Sequence, residues 1–446
     1  MTGQSAHKMP LRDKITLALL VLMSIFLMCD LYITAGLVNE LAREWDVEKK
    51  FIGFVGSAFT LVGAFISIFF GYFTDKADRK KLLVATVIIG EIPCLLCGIP
   101  AFTQTYTSFL ILRILTGIGI GGIYPLTFSL ISDYFTSRHR AHATAWIEVA
   151  WGIGMMGGPL LAAFAAGTVY GWRLAFLLAA VPNFLVVIFF ALYAQEPERG
   201  QTEDALTDLI DSGAHYKNRI KLSDFKIILN NKTNLLLFLQ GIPGCIPWGI
   251  LPFWIISYFE TERGMPKGDA AMIWEIFGIA TTVGALIWAI VGDKVFNRNP
   301  RYLPLMCGTG VLLGIIPTYF LINAPAEMYM AKGIMTFYLL AFLAGFIVSI
   351  AGSNNKAVIM NVNRPEHRGS VFAMFNIADS IGKGIGPALG GILLSSGYLF
   401  MMNFAISWWA ICGVILLLIY FTIGKDRKAL LDLMDERADS LSKTSQ

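Results

Sequence analysis

The chain has 446 residues, of which 56% are hydrophobic and 15% charged, with a mean hydropathy of +0.63. Soluble domains carry roughly 25% charged residues and avoid large exposed apolar patches, so this composition excludes a soluble enzyme, a nucleic-acid-binding domain and a disordered scaffold. The formal charge of +4 is small, and the information lies in where the charges fall.

The polar start, Met1 to Lys14, runs into an apolar stretch without a small-residue cleavage site, which reads as a retained first span and not a signal peptide. Apolar runs then fall at 15–38, 51–73, 82–101, 108–131, 143–165 and 174–194. Six more follow at 234–258, 269–291, 302–323, 331–353, 370–395 and 401–423. Each suffices to cross a bilayer, which takes about 20 residues. The spacing therefore predicts an all-α membrane protein of twelve transmembrane helices in two pseudo-symmetric six-helix bundles, residues 1–195 and 234–423. A central loop (196–233) separates them and a tail (424–446) follows. In the loop, Leu222, Phe225, Ile228 and Leu229 recur at helical spacing, as an amphipathic segment does. With both termini in the cytoplasm, cytoplasmic segments hold roughly four times as many Lys and Arg as the opposite side, which fixes the orientation.

The halves repeat. His139-Arg140 and Gly158-Pro159 recur 228 positions later as His367-Arg368 and Gly386-Pro387, at matching points of the fifth span of each half. Duplicated halves that rock about a midplane site are the signature of a secondary transporter. There is no zincin motif, nucleotide loop or ordered nucleophile set, so neither an enzyme nor ATP-driven transport is expected, and no cofactor or metal. The six cysteines all lie in apolar runs; Cys94-x-x-Cys97 reads as helix packing, as does the glycine run Gly117-x-Gly119-x-Gly121-Gly122.

Between spans two and three, Gly71, Asp75 and Arg79 stand in GYFTDKADRK. Asp75 can accept from the end of a neighbouring helix, and Arg79 can pair with an acid such as Asp133. With Arg140 and Glu148 these residues form a candidate conformational latch. The loop resembles the signature of the major facilitator superfamily, as do Arg113-x-x-x-Gly117-x-Gly119 in span four and Gly154-x-x-x-Gly158-Pro159 in span five. DLYITAG from Asp30, GIPGCIPWG from Gly241, and the stretch from Arg368 to Pro387 are similar to the Spinster-type branch. Leu31 and the pair Gly121-Gly122 stand where that branch carries an Arg and, in animal members, an acid. The resemblance implies alternating access, an amphiphilic or lysophospholipid-like substrate and proton coupling. The alternatives are a transporter of small organic anions, a drug efflux pump, or a non-transporting sensor. Short loops and lean tails point to a bacterial inner membrane; the chain is expected to be a monomer, with protons, membrane lipids and a small-molecule or lipid substrate as its partners.

Ionisable residues within spans are functional candidates by default. Asp30, past the middle of span one, is the candidate proton-coupling group. Arg113 would tune Asp30, bind an anionic headgroup or hold backbone carbonyls. Asp379 and Lys383 share a helix face four residues apart, to pair or to bind an anion. Trp151 and Trp248 are candidate apolar walls of the substrate site. Glu91, on a span that partly faces lipid in this family, is open to a structural, lipid-contact or coupling role. Glu275 is placed to reach the interface, Asn354 and Asn363 to add polar lining, and Trp45 and Trp172 to join the interfacial aromatic belt.

Overall fold

The structure, a computed structural model, describes residues 11–74, 77–135, 137–197, 224–327, 333–364 and 367–444. Among them the long elements are all helices, because a backbone crossing hydrocarbon must satisfy its own N–H and C=O groups. The chain divides into two compact units, Met1–Tyr216 and Lys217–Gln446.

In the first unit, α1 (Leu11–Ile33) passes through a short 3-10 turn into α2 (Val38–Glu44). Then come α3 (Lys49–Thr74), α4 (Arg79–Cys97), α5 (Tyr106–Tyr134), α6 (Ser137–Ala166) and α7 (Arg173–Tyr193). The start of α5 is a reciprocal capping box between Thr105 and Ser108, which satisfies two otherwise orphaned donors. α1 packs on α6 and α7, and α5 packs on α3 and α4.

The second unit opens with the short α8 (Asp224–Asn230), whose Ile228 is buried while Leu229 is exposed. Leu222 lies outside the described residues. Next are α9 (Lys232–Arg263), α10 (Lys267–Arg298), α11 (Tyr302–Asn323), the pair α12 (Met335–Val348) and α13 (Ile350–Val362), α14 (Arg368–Leu393), α15 (Tyr398–Leu418) and α16 (Tyr420–Thr444). α9 packs on α14 and α15, and α10 packs on α12.

Ten segments among the described residues are long and apolar enough to cross a membrane. Two of the expected spans fall short of that measure while remaining helical. α4 carries Arg79, Lys80, Lys81 and Glu91; α14 carries Arg368, Asp379, Lys383 and several glycines.

Close helix contact follows the glycine punctuation. A Cβ on Gly158 would lie 2.6 Å from the carbonyl oxygen of Cys29, so only glycine lets α6 seat against α1 beside Asp30. In the second unit a Cβ on Gly386 would lie 2.5 Å from Cα of Gly249, the same device 228 residues on. The repeat extends beyond the dipeptides: Tyr106–Tyr134 shifted by 228 covers 334–362, the stretch that α12 and α13 occupy.

Candidate functional site

Four helices of the first unit converge on a sealed polar cluster. α1 brings Asp30, α4 brings Glu91, Cys94 and Cys97, α5 brings Arg113 and α7 brings Asn183. Asp30, Glu91, Arg113 and Asn183 are each no more than 1% exposed. Arg113 lies seven residues into α5, about 10 Å from its start at 1.5 Å per residue.

The Arg113 guanidinium donates to Oδ1 of Asp30 at 2.6 Å and to the main-chain oxygen of the same residue at 2.9 Å. Its planar face lies 4.4 Å from the ring centroid of Phe59 and 5.3 Å from that of Phe176. Stacking and ion pairing together hold a charge that apolar surroundings would otherwise reject. The Cys94 thiol donates to the same Oδ1 at 3.1 Å. Asn183 donates to Oε1 of Glu91 at 2.6 Å. Oδ2 of Asp30, Oε2 of Glu91, Oδ1 of Asn183 and Nε of Arg113 have no hydrogen-bond partner. No group of metal-ligating side chains occurs among the described residues.

Asp30 and Arg113, singled out separately as ionisable residues in apolar runs, thus form one unit. Asp30 is packed between helices and does not face an open cavity. Arg113 is turned to Asp30, bonding both its carboxylate and its main-chain carbonyl. Of the roles left open for Glu91, lipid contact drops out: its side chain is buried and points inward to Asn183. Trp172, expected in the interfacial belt, is 5% exposed. It stacks edge-on against Trp45, Phe109 and Phe176, so these rings pack over the cluster. Phe59, Phe176 and Asn183 escape a sequence reading because uncharged residues in an apolar run carry no signal of their own, and Cys94, read as helix packing, also donates to Asp30.

The other candidates make contacts of their own. Trp151 packs on Tyr124 and Phe128 at the edge of the first unit's core, its indole N–H without a hydrogen-bond partner. Trp248 sits between Phe277 and Trp409 in the second unit. Asp379 is half-buried and lies against the backbone of Gly241, where a Cβ would come within 3.0 Å of its carboxylate. Lys383 is exposed. Glu275 is 4% exposed and so does not reach an interface. Asn363 exchanges amide bonds with Asn234 and Asn354 bonds backbone carbonyls, so both hold helices together.

Of the latch set, Asp75 lies outside the described residues, and the side chains of Asp133, Arg140 and Glu148 lie outside what is described; Gly71 falls near the end of α3. Arg79 is 2% exposed, and one of its partners is a residue that the sequence reading passed over. It donates to Glu196 at 2.8 Å and to the carbonyl of Pro197 at 2.9 Å, just beyond α7. Glu196 also accepts from the Lys80 backbone at 2.7 Å, anchoring the start of α4.

The sequence model of the Major Facilitator Superfamily matches residues 20–331. The chain belongs to the Major Facilitator Superfamily. It is an integral membrane protein of a transporter family, not an enzyme. The cis,cis-muconate transport protein of Acinetobacter baylyi is 26% identical to it, over 86% of this chain and 89% of that protein. Protein spinster homolog 1 of Xenopus laevis is 23% identical, over 86% of this chain and 73% of that protein. Among solved structures, a bacterial homolog of the human lysosomal transporter Spinster, inward-facing and unoccupied, superposes with a TM-score of 0.79 at 18% identity, covering 94% of this chain and 98% of that one. This likeness shows the shared fold.

Proposed function

We propose that this secondary transporter is proton-coupled, with Asp30 as the proton acceptor and Arg113 as its counter-charge. The observation that carries the reading is the sealed Asp30–Arg113 pair with one carboxylate oxygen unpartnered. Breaking such a pair by neutralising one member leaves the other charge buried and uncompensated, which costs about 3–5 kcal/mol. Protonation of Asp30 therefore favours any conformation in which Arg113 finds water or another anion, and this differential stability is what couples an ion to a conformational change.

The substrate we assign is an amphiphile of the lysophospholipid kind. The Spinster-like runs at Asp30, Gly241 and Arg368 support it, with Trp151 and Trp248 as apolar contacts and Asp379 and Lys383 as headgroup contacts. A second reading, a small carboxylate, is favoured by the likeness to the muconate transport protein over nearly its whole length. Gly71, Asp75, Arg79, Asp133, Arg140 and Glu148 are assigned to the latch on the cytoplasmic face. The membrane assigned is a bacterial inner membrane, with both termini cytoplasmic and the chain monomeric.

Proteoliposome flux tests this directly. Labelled lysophosphatidylcholine and labelled cis,cis-muconate would be offered with and without an imposed pH gradient, to the wild type and to Asp30→Asn. Lysolipid flux that follows the gradient and collapses in Asp30→Asn is expected. Gradient-driven muconate flux without lysolipid flux would move the assignment to the second reading. Flux indifferent to both gradient and mutation would remove Asp30 from the mechanism.

A further inference from the structure

We propose that Glu91 is a second proton-binding acid of the Asp30 site, held as the neutral carboxylic acid by Asn183. The inference deepens the proton-coupling reading above and rests on it for its role in transport. It starts from a charge count. The cluster contains two carboxyl groups and one guanidinium, all within 1% exposure. Arg113 gives both of its bonds to Asp30, one to the carboxylate and one to the main chain. Glu91 lies within electrostatic reach of both Asp30 and Arg113, yet it receives only the amide of Asn183. A second full negative charge in that setting has no cation to balance it.

The hydrogen-bond inventory says where the proton sits. One bond joins the two side chains, from Nδ2 of Asn183 to Oε1 of Glu91. The two oxygens left over, Oε2 of Glu91 and Oδ1 of Asn183, are both buried and both without a donor. Two acceptors cannot satisfy each other, and unpaired buried polar atoms are costly. A proton on Oε2 turns one of them into a donor and removes both vacancies at once, giving the two-bond pairing that a carboxylic acid makes with a carboxamide. The titratable groups facing Glu91 are Asp30 from α1, Arg113 from α5 and Cys94 from its own helix; Cys97, further along α4, faces Arg113 and Asp30, and α7 contributes the uncharged Asn183.

The transfer this permits conserves charge. The O–H bond at Oε2 of Glu91 breaks, an O–H bond forms at Oδ2 of Asp30, and Arg113 moves its ion pair from Asp30 to Glu91. Oδ2 is the Asp30 oxygen that has no partner to displace. Cys94, one turn along α4 from Glu91 and bonded to Asp30, links the two acids along the same face. The site thus holds one proton in reserve while Asp30 is ionised.

Infrared difference spectroscopy of the purified protein at neutral pH tests this without substrate or gradient. The wild type is expected to show a protonated-carboxyl band that shifts in D2O, disappears in Glu91→Gln and weakens in Asp30→Asn, where Arg113 is freed to pair with an ionised Glu91. Asn183→Leu should move the band to higher frequency, which keeps the test open if Glu91→Gln folds poorly. A band unchanged by Glu91→Gln, or unmoved by Asn183→Leu, would overturn the proposal. In proteoliposomes, the protons moved per substrate should fall in Glu91→Gln. If wild-type flux ignores the gradient while the band still depends on Glu91, the coupling reading fails and the second acid stands. If Asp30→Asn uncouples flux but the band ignores Glu91, the reverse holds.

Discussion

Removing Arg113 and removing Asp30 are unequal changes. Arg113→Ala strands an ionised carboxylate inside the helix packing and empties the space between Phe59 and Phe176. Loss of one member of a buried pair costs about 3–5 kcal/mol. Asp30→Asn also removes one charge of the pair, but it keeps the shape and the main-chain acceptor of Arg113, leaves the guanidinium stacked on two aromatic rings and has Glu91 within reach as a replacement anion, so its cost is smaller. Replacing both partners with apolar groups of similar volume removes the desolvation penalty altogether. Thermal melting in detergent should therefore rank Arg113→Ala below Asp30→Asn. The double variant Asp30→Leu/Arg113→Met should recover most of the loss while abolishing gradient-driven flux. A double variant as unstable as Arg113→Ala would mean that packing around Arg113, and not the charge pair, sets the stability.

At the scale of the element, α4 carries three distinct jobs along nineteen residues. Its start is capped by Asp78, which accepts from the Lys81 backbone at 2.9 Å and pairs with the Lys81 ammonium at 3.2 Å. Partial burial pushes the Asp78 carboxyl up, but the Lys81 N–H and the Lys81 charge outweigh it and hold the carboxyl below its ordinary value. A carboxyl lowered in the folded state stabilises the fold above its unfolded value, and that contribution fades as pH falls through the lowered one. Asp78→Ala should thus cost about 1 kcal/mol at neutral pH, with the difference from wild type vanishing in acid; equal melting differences at pH 7 and pH 3 would contradict it. Further along, Arg79 holds Glu196, and Glu91 faces the buried cluster. The helix itself was legible from its apolar run, and so was Asp30 as an ionisable residue in hydrocarbon. The pairings were not legible. Asp30 and Arg113 are 83 residues apart, Glu91 and Asn183 are 92, and Arg79 and Glu196 are 117. Which buried charge meets which is decided by helix rotation and close approach. A Cβ on Gly119 would lie 2.2 Å from Cα of Gly90, so α4 and α5 touch one residue from Glu91. Glu196 read as part of a polar loop, and Asn183 is an uncharged residue in an apolar helix.

At the scale of the whole molecule, the repeat is kept in backbone and broken in charge. The position 228 beyond Arg113 is Ala341, which is fully buried. Gly158 meets Cys29, beside Asp30, while its counterpart Gly386 meets Gly249, beside the fully buried Ile250. The second unit thus has aliphatic side chains where the first has its ion pair; its own intramembrane ionisable residues include the buried Glu275 on α10 and, on α14, Asp379 and Lys383 at half-buried and exposed positions. What the first half alone keeps of these is a buried acid paired with a guanidinium, and a change of protonation in such a pair strands the partner charge. The two functions should therefore separate by mutation. Lys383→Ala is expected to raise the half-saturating concentration of an anionic substrate several-fold while leaving the ratio of flux with and without a pH gradient at its wild-type value. Asp30→Asn should flatten that ratio towards one and shift half-saturation in gradient-free exchange much less. Initial rates across a substrate series, taken in matched proteoliposomes with and without the gradient, decide it. A Lys383→Ala protein that loses gradient dependence would place part of the coupling in the second unit.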